Sequence, residues 1–443
     1  MNTRFLKVVA LMLVSCFVFS ACKGKNASEN GDSASSAAAD PAGSSASGES
    51  YPEYVEELSD LKGLPTNGAS TVIHMLDSYF PDGQRVYLST NSNPDVAPDF
   101  GRTYSISASD PEGNLRELGE IPGYDSGSGW AHIDSDYYRY VRLNYLPEDE
   151  NVAIETGFLN EIALLRIDPE KKELELIRFD EPSNAELQSK MVASTFVCGR
   201  KAIALVESHE PGEDGMGGEL STFIEVYDVD SKEFTRYLTS SASIILTSGE
   251  MVYNVCANGE KIYALQDSME GAGVTTDLIE MSEYGTELRR YKVGEEETVF
   301  FAKPYTGGIS YAELYVWNGF VFSQHETGVY FGKLDRGAIG KIEDYSFTEL
   351  VINSDGGAPI LVHPVQEDGE GSTIALITED GTIEEIRIGI DGASVFSISE
   401  CFVSGTQLYI GVYYEKNEND LGEREYVIHL DKIGDVKEIF LPT

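Results

Sequence analysis

An all-β chain built as a propeller is predicted by three observations. From about residue 70 onward the sequence repeats at roughly 50–60 residues, a period typical of propellers and arrays. Each repeat reads as two hairpins, hence four strands. The turns inside those hairpins are written in Asp, Asn and Gly, residues that accept the positive φ a tight hairpin needs. Seven units can be counted, with six or eight as alternatives, because residues 51–77 are able to add a strand that closes the ring. One four-stranded sheet cannot bury both faces alone. Sheets packed face to face around an axis bury them and leave short, protected edges. A two-sheet sandwich array is the competing architecture.

The first hairpin of each unit is an apolar strand, a turn, and an alternating apolar strand. Its turns fall at Pro81-Asp82-Gly83, Asp134-Ser135-Asp136, Gly199, Asn258-Gly259, Asn318-Gly319, Gly356-Gly357 and Ser404-Gly405. The second hairpin turns at Asp110 to Gly113, Asp168-Pro169, Asp228 to Lys232, Glu283 to Gly285, Asp335 to Gly337, Glu379 to Gly381 and Asp431 to Gly434. The third unit shows it in full, Phe223 to Tyr227 leading through Asp228 to Lys232 into Phe234 to Leu238.

Before the repeats lie two segments of different character. Arg4 and Lys7 precede an apolar stretch, Val8 to Phe19, broken only by Ser15 and Cys16, and Ser20-Ala21-Cys22 follows. A basic start, a short apolar run and small residues form the order of a secretory signal. The run is shorter than the roughly 20 residues of a comfortable membrane span. In outline residues 1–22 resemble the signals of bacterial lipoproteins, although Phe19 stands where Leu is commoner. The resemblance implies cleavage after residue 21 and lipidation of Cys22. A plain cleaved signal is the alternative. Residues 23–50 are almost entirely Ser, Ala, Gly, Asn, Asp, Glu and Lys. Such a segment buries too little apolar area to offset its ordering entropy and is expected to be disordered. As a flexible linker it would span roughly 30 Å. The expected organisation is a signal peptide over 1–21, a lipidated Cys22 and linker over 22–50, and the propeller over 51–443.

The motif Pro81-Asp82-Gly83 before Val86-Tyr87-Leu88 resembles the repeat of Tol-associated propellers, and it occurs once. The Gly-His and Trp-Asp signatures of WD repeats, the kelch double Gly with its aromatic pair, and the Ser-Asp-Gly-Trp box of sialidase-like propellers are missing from the sequence. The resemblance therefore stops at an exported propeller lipoprotein.

Charge narrows the partners. Residues 1–21 hold two basic and no acidic residues, so the mature chain has 30 basic against 75 acidic residues, a net charge of −45. Nucleic acid is an improbable partner, because phosphate must be neutralised by Lys and Arg. An anionic membrane repels this domain too, so the tether should make the membrane contact. Of five cysteines, Cys198, Cys256 and Cys401 remain after Cys16 leaves and Cys22 takes lipid. All three fall in apolar strand contexts, which reads as buried, unpaired thiols. One disulfide among them is the alternative in an exported protein.

In a propeller the connections between hairpins and those between units emerge on one face. The between-hairpin connections are expected at 91–102, 146–158, 208–221, 266–276, 323–328, 363–372 and 414–425. They hold 21 Asp or Glu against three basic residues, Arg102, Lys416 and Arg424, so this face concentrates acid and holds the variable loops where binding usually sits. His209, His325 and His363 are expected to begin three of these loops. A convergent His–carboxylate metal site is one reading, and three separate surface histidines on three blades is the other. Asn91, Asn93 and Asp95 alternate like part of a calcium loop but lack its Gly and distal Glu. The between-unit connections hold aromatics: Tyr124 and Trp130 in one Gly/Ser loop, Tyr305 and Tyr311 in another. Exposed, these would stack on sugar rings or hold a cationic ligand. Trp130 packed between blades is the alternative, and Trp317 is expected in the core.

No catalytic motif is recognisable: neither a Gly-x-Ser-x-Gly elbow, nor a His-Glu-x-x-His pair, nor a phosphate loop is present. The expected function is a membrane-anchored extracytoplasmic lipoprotein whose propeller binds or scaffolds through its acidic face, with an envelope protein or a glycan as partner. No cofactor is predicted beyond a divalent cation. The alternative is an extracytoplasmic enzyme that uses a carboxylate pair on glycans or peptides.

Overall fold

A computed structural model of the chain describes residues 52–442 except 60–70, 80–84, 93–102, 111, 128, 147–157, 172, 185–187, 212–217, 244–247, 271–272, 293–313, 326–327, 341–342, 346, 348, 364–370 and 418–419. The signal segment, Cys22 and the linker lie outside the described residues, as do Asn93, Asp95, Tyr305 and Tyr311.

The chain is a seven-bladed β-propeller. Blade one is Thr71–Tyr79, Arg85–Ser92, Thr103–Ser109 and Leu115–Pro122 in sequential antiparallel order. In blade two the first strand is split into Tyr124–Gly127 and Ala131–Ile133, both paired with Asp136–Tyr145. Leu159–Asp168 follows, edged by Glu173–Arg178 and Ser183–Asn184. Blade three is Ser189–Cys198, Lys201–Pro211, Gly218–Asp228 and Glu233–Ser243. Blade four is Ser248–Asn258, Lys261–Glu270, Gly273–Ser282 and Glu287–Lys292. Blade five is Leu314–Trp317, Phe320–His325 and Gly328–Asp335, edged by Ala338–Ile339 and Glu343–Tyr345. Blade six is Glu349–Val351, Ile360–His363, Ser372–Ile377 and Ile383–Ile390. The first strands of blades three, four and five contact one another in turn, which places the first strand of each blade innermost.

Blade seven closes the ring. Val395–Ser404, Gln407–Asn417 and Asp420–His429 supply three strands, and the fourth is the N-terminal Val55–Glu57, antiparallel to the third. Residues 51–77 thus do contain the closing strand. The turn at Asp431 to Gly434 does not begin a fourth strand of its own blade. The chain leaves there, and Glu438–Leu441 joins the outer edge of blade six in parallel register.

Alternation decides the packing. Along Lys201–Pro211, Ile203 and Leu205 enter the core toward blade four, while Ala202, Ala204 and Val206 enter the core toward blade two. This is the period-two register of a strand buried on both faces. Further apolar cores lie between blades one and two and between six and seven. Asn318 and Gly319 both take positive φ, +47° and +80°, as a two-residue hairpin turn requires. Cys198 and Cys256 are buried, Cys401 is half-buried, and all three are free thiols. Trp317 packs at the edge of the large core.

Candidate functional site

Several segments expected as loops prove to be strand. The hairpin of blade three continues in register through His209, paired with Ser189 and Leu220, as far as Pro211 and Gly218. In blade four the strands run to Glu270 and resume at Gly273, and in blade seven to Asn417 and Asp420. The polar composition of 208–221, 266–276 and 414–425 is therefore carried largely by paired strands, since ladder hydrogen bonds do not require apolar side chains.

This moves the histidines. His209 lies within the second strand of blade three, and His325 and His363 end the second strands of blades five and six. They belong to three blades, and among the described residues no group of three or more His, Cys, Asp or Glu side chains could hold a metal ion. Burial lowers the His209 pKa. Two residues earlier on the same strand, burial pushes the Glu207 carboxyl up to about 7.

The aromatic positions also resolve differently. Tyr124 begins the split first strand of blade two, its backbone opposite Leu143. Trp130 is not an exposed stacking platform: it is 7% exposed, packed in the core between blades one and two, with the Arg139 guanidinium 5.4 Å from its ring centre. Of the two readings of this indole, packing between blades is the one that holds, because it sits beside the break in an inner strand.

At the loop-side ends of blades two and three the structure assembles a polar network that sequence reasoning missed. Glu161, 1% exposed, meets Arg178 at 2.9 Å. Arg178 donates to the Tyr145 hydroxyl at 3.2 Å and lies over that ring. Burial raises the Glu161 pKa while Arg178 opposes the rise. On the other face of the blade, Lys190 is buried against Asp180 at 2.6 Å and donates to the Glu181 carbonyl at 2.9 Å. Asp180 in turn accepts the Ile162 amide at 3.1 Å. Gln188 donates to Ser208 and Glu210. A charged residue inside an apolar run, as Glu161 is beside Ile162 and Ala163, was the one available signal. The arrangement offers fixed donors and acceptors at the rim of the loop face, anchored by charges too buried to rearrange freely.

No protein-family model matches the chain, and no curated protein matches it. Among solved structures, it is similar to a Trypanosoma rangeli sialidase in complex with sialic acid, at 12% identity and a TM-score of 0.38, covering 85% of this chain and 60% of that one. It is also similar to the β-propeller domain of the Trilobed protease from Pyrococcus furiosus, at 9% identity and a TM-score of 0.37, covering 68% and 82%. An AfRom2 CNH domain is 10% identical with a TM-score of 0.37, covering 84% and 98%. The chain spans less than two thirds of the sialidase's length. Likeness at this level says nothing about activity, and the propeller follows from the chain's own strand order and closure.

Proposed function

We propose that this chain is a lipid-anchored, extracytoplasmic binding or scaffolding module whose propeller presents an acidic loop face to an envelope protein or a glycan. The observation that supports it most is Cys22, placed after a basic start, a short apolar run and two small residues. The linker of 28 residues behind it holds the domain away from the membrane, and the net charge of −45 keeps the two surfaces apart. The 21 carboxylates in the between-hairpin segments, against three basic residues, make cationic groups on a partner the natural complement. They also make a divalent cation a candidate ligand of that face.

The anchor is tested with Cys22→Ser in the producing cell. The wild-type chain is expected in the membrane fraction, with an intact mass above that of its mature polypeptide by the acyl groups. The variant is expected to lose both properties. A wild-type chain without added mass would overturn the anchor. The binding role is tested by thermal shift against glycans and calcium, alongside recovery of cross-linked partners from detergent extracts. No shift, together with no partner that depends on the loop-face acids, would overturn it.

A further inference from the structure

One turn of this ring reaches where a neighbour-to-neighbour turn cannot. The segment between the first two strands of blade six, residues 352–359, is longer than its counterparts, such as the two-residue turns Gly199-Arg200 and Asn318-Gly319. Its contacts are not confined to adjacent blades. Asp355 Oδ1 lies 3.5 Å from Nδ1 of His132, in the inner strand of blade two. The Gly356 carbonyl accepts from Asn258 Nδ2 of blade four at 3.0 Å. In a seven-membered ring, blades two and six are three places apart by the shorter way round, so side chains of the two can meet only across the axis.

Neighbours hold the same turn on both sides. The buried Tyr315 of blade five donates its hydroxyl to the Gly357 carbonyl at 2.9 Å. Asn353 exchanges two bonds with Gly405 of blade seven, donating to its carbonyl at 2.9 Å and accepting its amide at 3.0 Å. Ser404 donates to Asp355 at 3.2 Å, and the Ser354 amide donates to the Val403 carbonyl at 3.1 Å. Inside the turn, Asn353 accepts the amides of Asp355 and Gly356, and Gly356 takes φ +75°. A Cβ on Gly357 would stand 2.6 Å from the Asn353 amide nitrogen, so the turn is packed against its own anchor.

We propose that residues 352–359 are an axial plug: they cross the ring at the end where the hairpin turns lie, seal that mouth of the central channel, and pin blades two and four to blade six. The plug is a second fastening of the ring, independent of the terminal strand. It also gives the channel a direction, because a ligand would enter and leave through the loop face. That last consequence rests on the proposed binding role, whereas the plug itself does not.

The test is a distance across the axis. In the pair His132→Cys/Asp355→Cys, made with Cys401→Ser so that the half-buried native thiol cannot react, a short bis-maleimide is expected to join the two introduced thiols within one chain, adding one linker mass and removing both of them. The pair His132→Cys/Lys432→Cys, with its second position on a rim turn, is expected to give two singly modified thiols. Equal behaviour of the two pairs overturns the plug. Should the first pair fail to fold, native-state hydrogen exchange on the unaltered chain decides. The amides of Ser354, Gly356 and Gly405 are expected to share the protection of the inner strands, and exchange at the rate of the amide of Asp431, on an exposed turn, overturns the proposal. Both readouts report geometry, so their failure is distinct from a failure to find a ligand.

Discussion

Arg85 is 3% exposed at the seam between blade one and blade seven. A guanidinium is costly to bury unless its N–H groups find acceptors. Here they find Glu425 of blade seven, the Ser59 carbonyl just past the closing strand, and Ser109 of blade one. Glu400 lies in the same sheet row as Glu425, with Gly411 between them on the intervening strand. Burial, then the charges of Glu425 and Glu423, push the Glu400 carboxyl up to about 7. A carboxyl raised in the fold keeps its proton while the unfolded chain loses it. Stability therefore falls as pH climbs from the ordinary carboxylate value of 4.5 to about 7, and the deficit is constant above that. Glu400→Gln is expected to raise stability at pH 8 by ~1–2 kcal/mol, less than the full shift implies because the partly exposed carboxyl is screened by solvent, and to change little at pH 4. Urea denaturation at both pH values measures this, and equal gains at the two would refute it. In sequence Glu400 is visible as a charge in an apolar run. That a glycine on the neighbouring strand leaves it facing another carboxylate is not.

At the scale of the strand, the inner strands share a device. Those of blades one, three, four and seven each shift register against their second strand, between Leu76 and Ser78, Val192 and Thr195, Val252 and Asn254, and Ile398 and Glu400. A bulge disrupts the ladder locally and bends the strand. In two of these blades a buried hydroxyl from the preceding blade accepts an amide at that point: Thr222 from Val252 at 3.0 Å, and Ser372 from Ile398 at 3.3 Å. Thr222→Val keeps the shape and removes the acceptor. It is expected to cost ~1–3 kcal/mol, with Thr222→Ser recovering most of the loss. The comparison is with Thr235→Val on the exposed edge of the same blade, and an equal effect at the two sites would contradict the assignment. Hairpin turns were legible because Asn-Gly and Asp-Gly act locally. Strand lengths were not, because whether 208–221 is loop or ladder depends on partners such as Ser189 and Leu220, which composition does not reveal.

For the whole molecule the decisive event is closure. Val55 is 2% exposed in the core between blades six and seven, on a strand of three residues that completes the last blade from the other end of the domain. Glu57 adds an ion pair to Arg424 on the strand it joins. Val55→Asp places a carboxylate in that core and is expected to cost ~3 kcal/mol or more. Exposed Glu56→Gln should be nearly silent. Denaturation midpoints compare the two, and a larger radius of gyration for the Val55 variant would show the ring opening. Matching midpoints would mean that the terminal strand does not hold the ring.

By itself the sequence determined the seven-unit repeat, the hairpin turns, the unpaired state of Cys198, Cys256 and Cys401 (the first two buried, the third half-buried), and the acid excess, because each is set by local composition or a short-range period. Only the tertiary structure decided that Val55–Glu57 closes blade seven while Glu438–Leu441 edges blade six. It also decided between the two readings of Trp130, placed His209 within a strand rather than at the start of a loop, and showed that one turn crosses the axis. Those outcomes depend on contacts between residues dozens to hundreds of positions apart. Curvature and closure of the ring bring such residues together, and no local pattern encodes them.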